Sequence, residues 1–255
     1  MKSLVYNSSE LEKFYSSNRG EWKEFYESER NIFERVFGDK NRIGDILDAG
    51  CATGGLAQAL DDKFGITNYT GIDINRQCIE TARKKYSQQK KRHKLKFICG
   101  DVVSVELPKK HYENVISLSC VDWNLYPEKG LRRLWDLTEP GGNLIFSARI
   151  SPGSGSYDLE KSYQLINFSE KTKGPFEKAC YIVFNWGDLS SLVAEFNPFE
   201  IHANGYWGLP SKTSVSPYKK LIFAVFAITK RANDSADPIK YLLDLPSELK
   251  PLPHE

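Results

Sequence analysis

One ten-residue segment, Ile46-Leu47-Asp48-Ala49-Gly50-Cys51-Ala52-Thr53-Gly54-Gly55, constrains this chain more than any other. An apolar run ends at an acid and continues as a turn of small residues, and apolar residues at helical spacing (Leu56, Leu60, Phe64) follow directly. This order predicts a β-strand, a tight turn and an α-helix. Small residues in such a turn let the backbone approach a ligand closely, and nucleotide-like cofactors bind at that end of a strand.

Apolar strand-like runs alternate with helical patterns up to about residue 150. This alternation predicts an α/β fold with a doubly wound, mostly parallel, Rossmann-like sheet of seven strands. Strands are predicted at 199–203 and 221–228 with no helix between them, so the last strand is expected to be antiparallel.

The chain of 255 residues is long enough for one large α/β domain, and no Pro/Gly/Ser-rich linker divides it. We expect a helical cap over residues 1–40, a main domain over 41–230 and a loosely attached polar tail over 231–255. Two aromatic-rich segments, 150–185 and 204–219, are expected to be insertions that form a lid over the substrate.

Composition narrows the class of protein. Lys and Arg number 35 and Asp and Glu 33, a net charge of +2 that shows no electrostatic footprint for nucleic acid. The five cysteines include no C-x-x-C pair, so we expect neither a disulfide framework nor a metal site, but reduced thiols in a cytoplasmic protein. No apolar run has the length of a signal peptide core or a membrane span, so no contact with a membrane is expected.

Glu29 stands within an apolar stripe that includes Phe25, Phe33 and Val36. A carboxylate on an apolar face is costly unless it has a partner. Two interpretations are open: Glu29 lies at the edge of the stripe in water, or it contacts something polar such as a cofactor or substrate.

Four acids, Asp48, Asp73, Asp101 and Asp122, stand at or just after the ends of predicted strands. In a parallel sheet these ends lie along one edge, so the four acids should surround one crevice. Asp73 is placed to accept hydrogen bonds from ribose hydroxyls, or to cap the next helix. A ribose role also fits NAD, and Gly50, Ala52 and Gly55 fit G-x-G-x-x-G with one Gly replaced, so a dinucleotide site is an alternative.

The same turn resembles the first motif of the class I S-adenosylmethionine-dependent methyltransferases, an acid followed by G-x-G-x-G. Asp48, Gly50, Ala52 and Gly54 occupy those places, with Ala52 where the family usually has Gly. The resemblance extends to the acid-tipped second strand, to Gly100-Asp101 after the third and to Pro140-Gly141-Gly142 before the fifth. It covers roughly residues 45–150, continues loosely to 230, and implies S-adenosylmethionine as cofactor.

The resemblance also implies roles for single residues. The acid after the third strand reads the adenine amino group, although Gly100-Asp101 also suits a simple turn. Asp48 supports the turn and the amino group of the methionine part, and Cys51 and Ser119 lie near that end through backbone atoms. The cofactor-binding residues so implied are Asp48, Gly50, Cys51, Ala52, Gly54, Asp73, Ile74, Asp101, Val102 and Ser119.

Methyl transfer from a sulfonium is an in-line displacement that needs a general base only when the acceptor carries a proton. Asp122 is the candidate base, and a loop acid or N-cap is the alternative. Aromatic lid segments without a basic groove favour a small, partly apolar acceptor, methylated at oxygen or nitrogen by a monomer or homodimer. An NAD-dependent oxidoreductase and a non-catalytic binding protein on the same fold are the other hypotheses.

Overall fold

The computed structural model describes residues 9–87, 94–166, 177–233 and 237–249. The first eight residues of the expected cap, and residues 234–236 and 250–255 of the expected tail, lie outside these ranges. Six α-helices are described: α1 Ser9–Ser17, α2 Glu27–Phe37, α3 Gly55–Phe64, α4 Arg76–Ser87, α5 Pro127–Leu137 and α6 Trp186–Glu195. The twelve described strands are β1 Ile43–Ala49, β2 Ile66–Asp73, β3 Lys94–Cys99, β4 Tyr112–Ser117, β5 Thr138–Ser151, β6 Tyr163–Leu165, β7 Lys178–Cys180, β8 Phe184–Asn185, β9 Glu200–Gly208, β10 Ser214–Val215, β11 Leu221–Thr229 and β12 Lys240–Asp244.

The main sheet has the order β12-β9-β11-β5-β4-β1-β2-β3, and β8 pairs with β5 beside this path. The strands from β1 to β5 pair in parallel, whereas β11 is antiparallel to both β5 and β9. The predicted mostly parallel sheet with an antiparallel last strand is therefore confirmed. The seven expected strands are present, and the sheet has β8 and β12 in addition. The strand β8 pairs with β5, and β12, which lies within the expected tail, pairs in parallel with β9.

Both faces of the sheet are covered by helices, as a doubly wound fold requires. Two adjacent residues of β1 show this. Ile46 and Leu47 are both buried, but they belong to separate apolar clusters, one on each face of the sheet. The cluster around Ile46 includes buried residues of α2, α3 and α4, and the cluster around Leu47 includes residues of α5 and α6. The helix α2 of the expected cap thus packs beside α3, with the Phe37 and Phe64 rings 5.9 Å apart.

A second, three-stranded sheet has the order β10-β6-β7. Its strands come from both expected lid segments, since β6 and β7 lie within 150–185 and β10 within 204–219. Residues 167–176 of the first segment lie outside the described residues. Two segments far apart in sequence therefore form one small unit.

Candidate functional site

The turn between β1 and α3 has left-handed backbone at three positions: φ is +85° at Gly50, +45° at Ala52 and +78° at Gly54. The amides of Gly50 and Cys51 donate to the carbonyl of Ile72 on β2, at 2.8 and 3.0 Å. A Cβ atom at Gly50 would lie 2.6 Å from Cβ of Cys120, so glycine is required there for space as well as for conformation.

Gly54 faces the side chains of Phe97 and Tyr86 behind this turn. A Cβ atom there would lie 2.8 Å from the Phe97 ring and 3.0 Å from the Tyr86 ring, and the Tyr86 hydroxyl donates to the Gly54 carbonyl at 2.6 Å. Gly54 therefore helps to form the turn, and it does not line either of the two cavities beside the turn.

Asp73 ends β2 and holds the turn in place. One carboxylate oxygen accepts from the Ala52 amide at 2.9 Å, and the other accepts from the Asn75 amide at 2.8 Å. A carboxylate oxygen can accept a second hydrogen bond. Asp73 thus fixes the backbone on both sides of the cleft and retains acceptor capacity toward it.

Seven of the residues predicted to bind the cofactor line one cavity of about 120 Å³, which we call the Asp73 lobe. Asp101 lies in this lobe after β3, and its Oδ1 accepts from the Val103 amide at 3.0 Å, so the turn-forming role is present. The seven residues are Gly50, Ala52, Asp73, Ile74, Asp101, Val102 and Ser119.

A second cavity of about 110 Å³, the Asp48 lobe, lies on the other side of the turn. It is lined by Asp48 and Cys51 and shares Gly50, Ala52 and Ser119 with the first lobe. Asp48 is buried and accepts a hydrogen bond from the Tyr69 hydroxyl. Burial and the nearby charge of Asp73 raise the pKa of Asp48 to about 7, against the opposing effect of Tyr69.

Arg19 also lines the Asp48 lobe and forms an ion pair with Glu29, Nη2 to Oε1, at 2.8 Å. The second oxygen of Glu29 accepts from the Tyr26 amide at 2.8 Å. The Glu29 side chain is 1% exposed, so its interpretation as a solvent-edge residue is wrong. The carboxylate tolerates burial because Arg19 and a backbone amide satisfy it.

A third and larger cavity of about 950 Å³ is bordered by α1, the C-terminal half of β5 and both expected lid segments. It is near the upper end of the range of roughly 300–1,000 Å³ that small-molecule sites occupy. Ser119 lines this large cavity and both lobes, and so does Tyr15 of α1. The three spaces therefore adjoin one another at these two residues.

Asp122 lies on the wall of the large cavity, in a single 3₁₀ turn after β4. It is 4% exposed, and its Oδ2 forms an ion pair with Nε of Arg149 at 2.9 Å. Its Oδ1 receives no hydrogen bond from the part of the chain that the structure describes. Burial raises the pKa of Asp122, and Arg149 opposes this shift.

A family model described as "Methyltransferase domain" matches residues 46–142, which run from within β1 into β5 and include the lobe-lining residues from Asp48 to Asn124. Over this range the chain is similar to the class I S-adenosylmethionine-dependent methyltransferases. This match favours the methyltransferase interpretation of the glycine-rich turn over the dinucleotide interpretation, and it agrees with the resemblance drawn from Asp48, Gly50 and Gly54.

Named relatives lie within the same class. The chain is 31% identical over 119 residues to a malonyl-[acyl-carrier protein] O-methyltransferase of Priestia megaterium, covering 46% of this chain and 40% of that one. It is 25% identical over 152 residues to phosphoethanolamine N-methyltransferase 2 of Caenorhabditis elegans, covering 57% and 34%. The chain thus spans about half or less of the length of these two relatives.

A solved structure of a SAM-dependent methyltransferase from Methanosarcina mazei shares the fold of this chain. The two superpose with a TM-score of 0.59 at 18% identity, over 82% of this chain and 99% of the other. At this identity the likeness shows the fold alone.

Two features of the described residues bear on other classes of function. None of the described helices is both long and apolar enough to cross a bilayer. Within the same ranges, no group of three or more His, Cys, Asp and Glu side chains is arranged to hold a metal ion.

Sequence reasoning missed three residues of the site: Arg19, Tyr15 and Arg149. Arg149 is buried in β5, and Arg19 precedes an apolar stripe in which Glu29 is the unexpected acid. The signal that was available is that a lone acid in an apolar stripe calls for a basic partner nearby. Tyr15 gave no comparable signal, because one more aromatic residue on an amphipathic helix indicates core packing.

Proposed function

We propose that this protein transfers a methyl group from S-adenosylmethionine to an oxygen or nitrogen atom of a small acceptor. One observation carries the proposal: both lobes of the cofactor cleft adjoin the large cavity at Ser119. A donor in the lobes and an acceptor in the cavity would therefore be neighbours, as in-line displacement requires.

The residues of the cleft fit this cofactor. The backbone at Gly50 and Ala52 forms a cradle that a larger side chain at Gly50 would disrupt, and Asp73 has acceptor capacity toward ribose hydroxyls. Asp101 and Val102 line the same lobe, in position for an adenine ring, and Asp48 supplies a carboxylate for an ammonium group. The bound cofactor supplies a methyl group that its sulfonium has already activated. The protein's task is to align the acceptor and to exclude water.

The proposed acceptor is small and partly apolar. Aromatic and aliphatic side chains share the wall of the large cavity with polar ones, which include serines, Asn18, Gln164 and the Asp122–Arg149 pair. The relatives are named for an oxygen and a nitrogen acceptor, malonyl-[acyl-carrier protein] and phosphoethanolamine, and both classes of atom belong in the screen. The proposal includes a small-molecule acceptor rather than nucleic acid, a monomer or homodimer, and a cytoplasmic setting.

Calorimetry with S-adenosylmethionine, S-adenosylhomocysteine and NAD tests the cofactor directly. We expect the two sulfur compounds to bind with micromolar affinity and NAD not to bind. A screen of small acceptors for methyl transfer from labelled S-adenosylmethionine then tests the reaction. Binding of NAD alone, or methylation of intact tRNA or protein and of no small molecule, would contradict the proposal.

Cofactor affinity should depend on pH through Asp48. Its pKa of about 7 means that it is a carboxylate above this pH and neutral below it. Because only the carboxylate attracts an ammonium group, S-adenosylhomocysteine should bind about 10-fold more weakly at pH 6 than at pH 8. Titration calorimetry across this range measures the effect. Asp48→Asn should flatten the profile, and Tyr69→Phe should move its midpoint upward because Tyr69 lowers the pKa; a profile that Asp48→Asn leaves unchanged would assign the titration to another group.

Asp122 is our proposed general base for an acceptor that carries a proton. Asp122→Asn keeps the volume but removes the basic oxygen, so we expect kcat to fall by about 100-fold while S-adenosylmethionine affinity stays within about twofold. Steady-state kinetics and calorimetry on the same preparation measure both. Arg149→Lys, which preserves a positive charge beside Asp122, should retain more activity. An unchanged kcat in Asp122→Asn would show that Asp122 only holds Arg149.

A further inference from the structure

Arg19 is held in an unusual backbone conformation between α1 and the next short helical turn. Its φ is +67°, a left-handed value that is unfavourable for a residue other than glycine. The same residue packs closely on the start of α3, because a Cβ atom at Gly55 would lie 2.1 Å from the Arg19 carbonyl oxygen. Strain of this kind persists where surrounding contacts enforce it, often beside a ligand.

The guanidinium of Arg19 is fixed from several sides. Glu29 pairs with Nη2 at 2.8 Å, the Phe25 ring centroid is 4.4 Å from Cζ, and the Tyr26 ring centroid is 5.2 Å from it. Glu29 is itself fixed by the Tyr26 amide. A guanidinium has five donor hydrogens, and within the described ranges only the bond to Glu29 is made. A rigid group with donors to spare is suited to planar anions such as carboxylates.

The Arg19 side chain is 18% exposed, and Arg19 lines the same lobe as Asp48. This small cavity therefore has an acid and a base on its wall. That pair of charges complements a zwitterionic α-amino acid group, which carries an ammonium and a carboxylate on one carbon. A dinucleotide has no such group.

We propose that Arg19 binds the α-carboxylate of the cofactor's amino acid end, and that Glu29 is a positioning residue that orients Arg19. This inference rests on the proposed function, because it assumes that the lobes hold S-adenosylmethionine. The strained backbone and the buried carboxylate of Glu29 then have one explanation, since both serve to present a fixed guanidinium beside Asp48. A purely structural pair between α1 and α2 is the competing account.

The test compares two ligands that differ only in the carboxylate: S-adenosylmethionine and decarboxylated S-adenosylmethionine. Calorimetry with the wild-type protein should show about 10- to 100-fold tighter binding of the carboxylated compound, the range for a hydrogen bond between charged groups. Arg19→Gln should remove this preference by weakening S-adenosylmethionine binding and leaving the decarboxylated compound within about twofold. Glu29→Gln should reduce the preference without abolishing it.

The structural account predicts another pattern. If Arg19 only joins α1 to α2, Arg19→Gln weakens both ligands equally and the preference persists, which overturns the inference while the proposed function stands. Because Arg19→Gln leaves Glu29 buried without its partner, the double variant Arg19→Gln/Glu29→Gln provides a neutral pair, with thermal unfolding as the check on folding. Loss of the preference in this folded double variant supports the inference, and its retention overturns it. Failure of the wild-type protein to bind either compound would overturn the proposed function and this inference together.

Discussion

Replacing Asp73 by alanine should weaken S-adenosylmethionine binding by at least about 100-fold. Two losses combine in this variant. The acceptor for the ribose hydroxyls disappears, and the amides of Ala52 and Asn75 lose the carboxylate oxygens that hold them at 2.9 and 2.8 Å. The cradle then loses its conformation as well as its ligand contact. Titration calorimetry measures the affinity, and circular dichroism shows whether the domain remains folded.

Two companion variants make the Asp73 experiment specific. Asp73→Asn retains one carbonyl oxygen, so it should bind more tightly than Asp73→Ala and less tightly than the wild type. Asp45→Ala removes an acid near the other end of β1, where Asp45 contacts Asn68 and Lys109, and should leave cofactor affinity unchanged. Wild-type affinity in a folded Asp73→Ala protein would refute the ribose role.

Gly50→Ala should lower the free energy of unfolding by about 3 kcal/mol. A left-handed φ of +85° is costly for alanine, and the new methyl group would lie 2.6 Å from Cβ and 2.7 Å from Sγ of Cys120. Gly50 and Cys120 are where the turn contacts the segment after β4, and both line the Asp73 lobe. We therefore also expect S-adenosylmethionine affinity to fall. Urea unfolding followed by circular dichroism measures the stability.

The chain offers a matched control for the steric part of this effect. Gly141 has a similar φ of +78°, but a Cβ atom there would come no closer than 3.8 Å to its nearest neighbour, Ala232. Gly141→Ala should therefore cost only the conformational part, about 1 kcal/mol. If Gly50→Ala and Gly141→Ala were equally destabilising, the contact with Cys120 would contribute nothing.

The sequence predicted those elements whose pattern of apolar residues matches the burial of the same residues in the fold. The inner strands β1, β4 and β5 carry apolar runs because both of their faces are buried, and such runs are visible without a structure. The acids Asp48, Asp73 and Asp101 could be assigned to one cleft because parallel strands end on the same side of a sheet. Nine of the ten residues predicted to bind the cofactor line one lobe or the other, with Gly54 behind the turn.

Contacts between distant residues could not be predicted in the same way. Nothing in the sequence near Asp122 indicates that Arg149, on another strand, pairs with it. Arg19 and Glu29 meet because the chain turns between α1 and α2, and their spacing matches no helical or strand repeat. The three strands of the lid sheet have only two or three residues each, too few for a period to be recognised.

The strand β12 changes what the sheet presents to other chains. Without it, the nine-residue β9 would be an outer strand with a row of unpaired backbone groups. With it, the sheet ends in β3 on one side and β12 on the other, of six and five residues, and both have exposed lysines, Lys94 and Lys96 in one and Lys240 in the other. Short, charged outer strands are poor templates for a further strand. The polar C-terminal segment thus protects the long strands around the cleft against edge-to-edge aggregation.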